Sequence, residues 1–164
     1  MDLRESYDKL LENEVFKGWK SKEGKDSYLC SCFVMKGENM VHSDLEEWQF
    51  GFFSDGKIVG FVVGDGVKMQ EADTAFKKEN DEVLKLDLDN VKFRLDKALV
   101  KGEKEVKQGR VTKKIIILQN WTGDVVWNLS FITDVFEVVN VKIDAVDGKI
   151  LSKQKNSLLQ FRKS

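Results

Sequence analysis

The chain has 164 residues, and its 41% hydrophobic and 10% aromatic content is enough for a packed core, which excludes a disordered protein. Its 27 basic and 28 acidic side chains give a formal net charge of -1 with no long basic run, which excludes an electrostatic site for nucleic acid or a membrane surface. No run approaches the roughly 18 apolar residues of a membrane span. The first residues lack a basic start and an apolar run, so no signal peptide is predicted. If Met1 is the native start, we expect a cytoplasmic protein.

A helix is predicted at the N-terminus. Asp2 and Glu5 have the spacing of a capping box, in which each side chain accepts a hydrogen bond from the other residue's backbone N–H. Apolar residues then recur at helical spacing as far as about Phe16: Leu3, Tyr7, Leu10, Leu11 and Val15. The pattern predicts one continuous helix with an apolar side that faces a core.

Three strands are predicted after this helix, because apolar and polar residues alternate over short runs at residues 28–35, 47–54 and 57–63. A charged stretch at residues 69–85 follows, and its apolar residues, near helical spacing, predict a linker helix. Its acidic residues are interleaved with lysines, which fits a solvated helix face better than a metal site: Glu71, Asp73, Glu79, Asp81 and Glu82.

The second half repeats this order. A helix is predicted after an Asp89-Asn90 cap, and three strands follow at residues 113–119, 125–133 and 137–145. The segment WQFGF, which begins at Trp48, aligns with WNLSF, which begins at Trp127. Both have the order tryptophan, amide, large apolar, small and phenylalanine. The length differences between the halves fall in loops, as expected of a duplication.

We therefore predict an α+β fold of two tandem units, each with one helix on a three-stranded antiparallel sheet. The first unit covers residues 1–69, a linker covers residues 70–88, and the second unit covers residues 89–164. The units can also pack as one domain, because a unit of about 75 residues has a thin core.

Alternation along the strands assigns one face of each sheet to the core. It places these side chains beneath the helices: Trp48, Phe50, Phe52, Trp127, Leu129, Phe131, Val139, Val141, Ile143 and Ala145. Phe53, Trp121 and Ile132 lie off these rows and are candidates for a contact between the two units.

The C-terminal pattern is an alternating strand, then Asp144-Ala145, two residues, Gly148-Lys149 and an apolar pair. It resembles the closing strand and turn of PepSY domains, over about residues 86–152 and, through the internal repeat, more weakly over residues 2–69. The resemblance implies a helix on an antiparallel sheet of cystatin-like type. It also implies a non-catalytic module that binds or inhibits. Since we predict no signal peptide and no peptidase within these 164 residues, we do not expect the role of an inhibitory propeptide.

The residues that could carry chemistry are few. Cys30 and Cys32 are too close for an unstrained disulfide and are interpreted as buried thiols that share one face of a strand. His42 lies beside Ser43 and Asp44, but sequence neighbours seldom adopt triad geometry. No nucleophile motif or phosphate-binding loop is present. We expect no catalytic residue, no metal and no cofactor; an enzyme on a cystatin-like scaffold would require His42 to approach an acid or a thiol.

The polar rows of the strands form the candidate site. If the two sheets face each other or merge, these residues line a groove: Gln49, Asn128, Ser130, Asn140 and Lys142. We predict a non-catalytic binding or regulatory module of PepSY-like type that recognises a protein or peptide, as a monomer or homodimer. The alternative function is a small-molecule carrier or sensor that uses the concave face of the sheet. Plain solvent-exposed strand surface is the other interpretation of the same residues.

Overall fold

Eight strands form one continuous antiparallel sheet in the computed structural model, which describes residues 2–38, 47–74 and 82–159. The strands are β1 (Tyr28–Gly37), β2 (Trp48–Ser54), β3 (Lys57–Val63), β4 (Val67–Thr74), β5 (Val111–Trp121), β6 (Asp124–Thr133), β7 (Glu137–Asp144) and β8 (Ile150–Ser157). Their order across the sheet is β4-β3-β2-β1-β5-β6-β7-β8. The expected fold of two tandem helix-plus-three-stranded units is therefore wrong, whereas the combination of helices with an antiparallel sheet is confirmed.

The strands β1 and β5, the first strand of each half, pair with each other at the centre of the sheet. Seven residue pairs join them, from Ser31 with Gln119 to Gly37 with Lys113. Each half then adds its other three strands outward, one hairpin after another. The expectation of separate units failed because alternation reveals which side chains are buried but not which strand edges pair.

The outermost strands, β4 and β8, were not predicted. β4 pairs with β3 where the linker helix was expected, so that prediction is wrong as far as Thr74, and residues 75–81 lie outside the described residues. Residues 82–87 contain no helix. Both strands are rich in polar residues, which is common at sheet edges and weakens the alternation that identifies a strand. The domain boundaries at residues 1–69, 70–88 and 89–164 stay a prediction.

The helices are α1 (Leu3–Glu12), α2 (Glu14–Ser21) and α3 (Leu95–Glu103), with a 3-10 helix at Leu88–Asn90. The capping box is confirmed, since Asp2 Oδ1 accepts a hydrogen bond from the Glu5 N–H at 2.8 Å. The expectation of one continuous helix to Phe16 is wrong. The chain breaks at Asn13, whose side chain accepts hydrogen bonds from two backbone N–H groups and so begins α2.

The second helix also begins at a different place from the one expected. Asp89 and Asn90 belong to the 3-10 helix rather than to an N-cap, and α3 starts at Leu95 after a non-helical segment at residues 91–94. Arg94 occupies the N-cap position and makes no side-chain capping hydrogen bond. Trp127 Nε1 donates to the Phe93 carbonyl oxygen at 2.8 Å, which fixes this segment over β6.

One hydrophobic core lies between the helices and one face of the sheet. Every side chain that alternation placed beneath the helices is buried, and both paired tryptophans belong to this core. Over the first half, Phe16 and Trp19 of α2 pack on Phe52 and Phe61 with ring centroids 5.1–5.8 Å apart. We call the opposite side of the sheet the helix-free face, because none of the described helices packs there.

The turn after β7 has the geometry that its Asp-Gly pair predicts. Gly148 has a φ of +81°, and Asp144 Oδ1 accepts hydrogen bonds from the N–H groups of Val146 and Asp147. A Cβ at Gly148 would lie 2.6 Å from Phe93 Cε1, so both the backbone conformation and the available space require glycine.

We expect Gly148→Ala to lower the free energy of unfolding by at least about 2 kcal/mol, since a left-handed residue costs about 1–2 kcal/mol and the Phe93 ring must also move. Gly18→Ala is the matched control. Gly18 lies inside α2 with no atom within 4 Å of the added Cβ, so this change should raise stability by up to about 1 kcal/mol. Urea unfolding monitored by circular dichroism measures both. A Gly148→Ala protein as stable as Gly18→Ala would contradict the analysis of the turn.

Candidate functional site

Four of the five predicted site residues meet on the helix-free face. Asn140 Nδ2 donates to Asn128 Oδ1 at 2.7 Å and to Ser130 Oγ at 3.0 Å, while its Oδ1 accepts from Lys142 Nζ at 3.1 Å. Lys142 Nζ also lies 5.4 Å from the centre of the Trp121 ring, within range of a cation–π contact. These side chains hydrogen-bond to one another and form a small polar surface on β6 and β7.

The fifth residue, Gln49, lies apart from the other four. The strand registers place Gln49, Phe33, Ile117 and Asn128 in one row across β2, β1, β5 and β6. Neighbouring strands lie about 4.8 Å apart, which puts Gln49 roughly 14 Å from Asn128. The centre of the helix-free face is therefore apolar rather than a continuous polar groove.

Half-buried apolar side chains cover that centre: Tyr28, Phe33, Met35, Phe53, Ile115, Ile117 and Ile132. Tyr28 and Phe53 pack with their ring centroids 5.5 Å apart. Phe53 and Ile132 thus contribute to this face rather than to a contact between two separate units. The face combines an apolar centre with the Asn140 network at one side.

A cleft of about 610 Å³ opens on the other side of the sheet, between the N-terminal ends of α1 and α3. We call it the interhelical cleft. Its lining is Asp2, Leu3, Arg4, Lys36, Trp48, Leu88, Val91, Arg94, Leu95, Asp96, Leu99 and Trp127. None of these residues was among the predicted site residues, although the two tryptophans were singled out as matching positions.

The inner part of the interhelical cleft is apolar. Trp48 and Trp127 are only 3% and 1% exposed, and Leu88 is also buried. Leucine and valine side chains of α1, α3 and the segment before α3 form the walls. The Trp127 indole N–H donates to the Phe93 carbonyl oxygen, and both tryptophans of the floor belong to the packed core.

The mouth of the cleft is charged. The side chains of Arg4 and Arg94 are 52% and 77% exposed. Arg4 NH2 lies 3.0 Å from Asp89 Oδ1, and Arg94 Nε lies 3.8 Å from Asp96 Oδ1. Lys36 adds a third basic side chain at the end of β1. An apolar floor with a charged mouth suits a ligand that has both an apolar and a polar part.

Reactive groups are not concentrated at either surface. Cys30 and Cys32 are both buried, as expected, but a bulge between Leu29 and Ser31 interrupts the register with β2 at Cys30. Cys32 belongs to the core beneath the helices and Cys30 does not, so the expectation that the thiols share one face is wrong. His42 lies outside the described residues, as do Glu79 and Asp81. Among the described residues, no cluster of His, Cys, Asp or Glu has the arrangement of a metal site.

Comparison with known proteins adds a fold relationship. The chain is similar to the crystal structure of a "putative lipoprotein" from Clostridium difficile 630, with a TM-score of 0.55 and 16% sequence identity over 87% of this chain and 91% of that one. No family model matches the chain, and no curated protein matches it. At this identity the similarity concerns the fold alone, and the PepSY-like assignment stays a prediction. In the described part of the chain, no helix combines the length and apolar character of a membrane span.

The thiols give the protein a pH dependence. Burial raises the pKa of Cys30 from 9.0 to about 11, and burial, followed by the neighbouring Cys30, raises the pKa of Cys32 well above its ordinary value. The folded chain therefore retains thiol protons that the unfolded chain has already lost. The free energy of unfolding should fall between about pH 9 and pH 11, by at most about 1.4 kcal/mol per pH unit for each thiol.

Urea unfolding at a series of pH values tests this dependence, and Cys30→Ala provides the comparison. The variant should lose part of the slope between about pH 9 and pH 10. Burial also raises the pKa of Tyr7 and of Tyr28, and both tyrosines are present in both proteins, so the difference between the two curves is assigned to Cys30. If the parent and Cys30→Ala lose stability along parallel curves, Cys30 is not a source of the effect.

Proposed function

We propose that this protein is a non-catalytic binding module and that its ligand site is the interhelical cleft, where a small molecule is carried or sensed. The observation that carries the proposal is an open cleft of about 610 Å³ with two buried tryptophans at its floor. The volume falls within the range of about 300–1,000 Å³ that is usual for small-molecule sites. The alternative function from the sequence thus becomes the first candidate, at a different location from the one expected.

The construction of the cleft supports this function. Its walls come from α1, α3 and the strands β1, β2 and β6, so both halves of the chain contribute. The floor is part of the packed core, which means that little reorganisation is needed when a ligand enters. The apolar lining with a few charged groups at the mouth matches the usual composition of a binding pocket.

Recognition of a protein or peptide is the second candidate, on the helix-free face. The polar network of Asn128, Ser130, Asn140 and Lys142 beside an apolar centre favours it. Such a surface offers hydrogen-bonding groups next to apolar area, as interfaces do. Gln49, in the same row as Asn128, would mark the other side of the contact.

We also propose that the two halves descend from one repeated unit. Trp48 and Trp127 occupy the second strand of each half, are both buried in the core and both line the interhelical cleft. This correspondence supports a duplication, and the PepSY-like relationship and the cytoplasmic location stay predictions beside it.

A neutral apolar fluorophore, N-phenyl-1-naphthylamine, tests the cleft directly. We expect Leu99→Trp to fill the cleft and to weaken probe binding at least about tenfold, measured by the increase in probe fluorescence on titration. Val100→Trp is the matched control, because Val100 is the next residue of α3, is 61% exposed and does not line the cleft. This control should bind the probe as the parent does.

Thermal unfolding of both variants checks that they fold. Equal probe affinity in Leu99→Trp and Val100→Trp would contradict the proposal that ligands bind in the interhelical cleft. Backbone amide shifts during the same titration separate the two candidate surfaces, since cleft binding should shift residues of α3 and the helix-free candidate predicts shifts around Asn128 and Asn140.

A further inference from the structure

The apolar centre of the helix-free face continues onto two further strands. The strand registers add Ile58 and Val62 of β3 on one side and Val138 of β7 on the other, and all three side chains are half-buried. The apolar surface therefore extends from β3 to β7, across six neighbouring strands. A contiguous apolar surface of this width commonly marks a site of interaction with another macromolecule.

Charged side chains of both signs surround this apolar surface, and we call them the rim. Register and alternation place six such residues on the helix-free side: Lys68, Lys113, Lys142, Glu47, Asp124 and Asp144. None of the three lysines forms an ion pair with a described carboxylate. The rim thus holds lysines and carboxylates in equal number.

One of the rim lysines is already held in place. Lys142 Nζ donates to Asn140 Oδ1 at 3.1 Å and lies 5.4 Å from the centre of the Trp121 ring. Trp121 is 36% exposed, so an aromatic surface and a positive charge are offered together. Because these contacts restrict the lysine before a partner arrives, little side-chain entropy is lost when a carboxylate approaches it.

The partner that fits this surface has an apolar centre and a rim with both signs of charge. A second copy of the chain has both properties, since the three lysines of one copy can face carboxylates of the other. A nucleic acid, or a segment of one charge sign, would meet like charges on part of the rim. Two sheets that pack face to face, about 10 Å apart, interdigitate their side chains in the same way.

The size of the face is also sufficient for a dimer. Eight strands that lie about 4.8 Å apart, with about eight residues of about 3.4 Å each, cover roughly 1,000 Å². A specific protein interface buries about 800 Å² on each partner. Such interfaces have an apolar core within a polar rim, which is the arrangement of this face.

We propose that the helix-free face is the interface of a symmetric homodimer, in which the sheets of two copies pack face to face. This inference rests on the second candidate function and specifies its partner as a second copy of this chain. The two apolar surfaces form the centre of the interface, and lysines of each rim approach carboxylates of the other. The interhelical cleft, on the other side of the sheet, stays open in both copies.

Sedimentation equilibrium of the full chain, from micromolar to submillimolar concentration, tests the dimer. Ile117→Lys places a charge at the centre of the face and should weaken the dimer at least about a hundredfold, because an unpaired buried charge is strongly unfavourable. Val100→Lys is the matched control, since it adds the same charge at a 61% exposed residue of α3. This control should dimerise as the parent does, and thermal unfolding checks that both variants fold.

A second measurement locates the interface without any substitution. Isotope-filtered nuclear Overhauser spectra of a mixture of labelled and unlabelled chains detect only contacts between copies. We expect such contacts at the methyl groups of Met35, Ile115 and Ile117, which are half-buried on the helix-free face.

A chain that stays monomeric at every concentration would overturn this inference. So would a dimer that Ile117→Lys and Val100→Lys weaken equally, or one whose contacts between copies lie outside the helix-free face. The small-molecule function is tested separately, because Ile117→Lys should leave the N-phenyl-1-naphthylamine titration unchanged. A dimer that forms through this face without probe binding supports this inference and contradicts the cleft. A monomer that binds another protein around Asn128 and Asn140 contradicts this inference but not the second candidate function.

Discussion

The pairing of β1 with β5 is the interaction on which the rest of the structure depends. Those two strands form the middle of the sheet, and their register determines how the two halves sit beside each other. With Phe33 opposite Ile117 and Val34 opposite Ile116, the second strands of the two halves flank the central pair, and both tryptophans lie on the helix side. The starts of α1 and α3 then stand on either side of a gap, which is the interhelical cleft. A shift of the register by one residue would turn every side chain of one half to the other face.

Much of the fold could be predicted because it depends on residues that are close to one another in the sequence. Alternation along β6 and β7 identified the buried row from Trp127 to Val141, since burial of one face leaves a period of two in the sequence. The capping box at Asp2 and the glycine at Gly148 were also predictable, because each depends on a few adjacent residues. The break at Asn13 was not, since Leu11 and Val15 continue a helical pattern although both are exposed. The edge strands β4 and β8 exist through hydrogen bonds to β3 and β7, and their polar side chains leave no comparable pattern.

Of the two candidate sites, one could be predicted from the sequence and the other could not. The Asn140 network was predictable because its members alternate with buried residues on two adjacent strands. The interhelical cleft was not, because its lining joins residues from both ends of the chain, and each residue alone has an ordinary structural explanation. Leu99 fits a helix core position, Trp48 a strand core position and Arg4 an exposed turn of a helix. Only the three-dimensional arrangement shows that they share one cavity.

The location of β5 in the sequence has a consequence for the chain as it is synthesised. β1 is complete early, but the strand that covers its second edge follows only after the first four strands and residues 75–110. Until then the backbone groups from Ser31 to Gly37 that later bond to β5 have no partner, and the strand carries Phe33, Val34 and Met35. An uncovered apolar strand edge readily pairs with another copy of itself. The first half therefore emerges from the ribosome with this edge of β1 uncovered. The time until residues 111–121 emerge determines how long neighbouring nascent chains can pair through that edge.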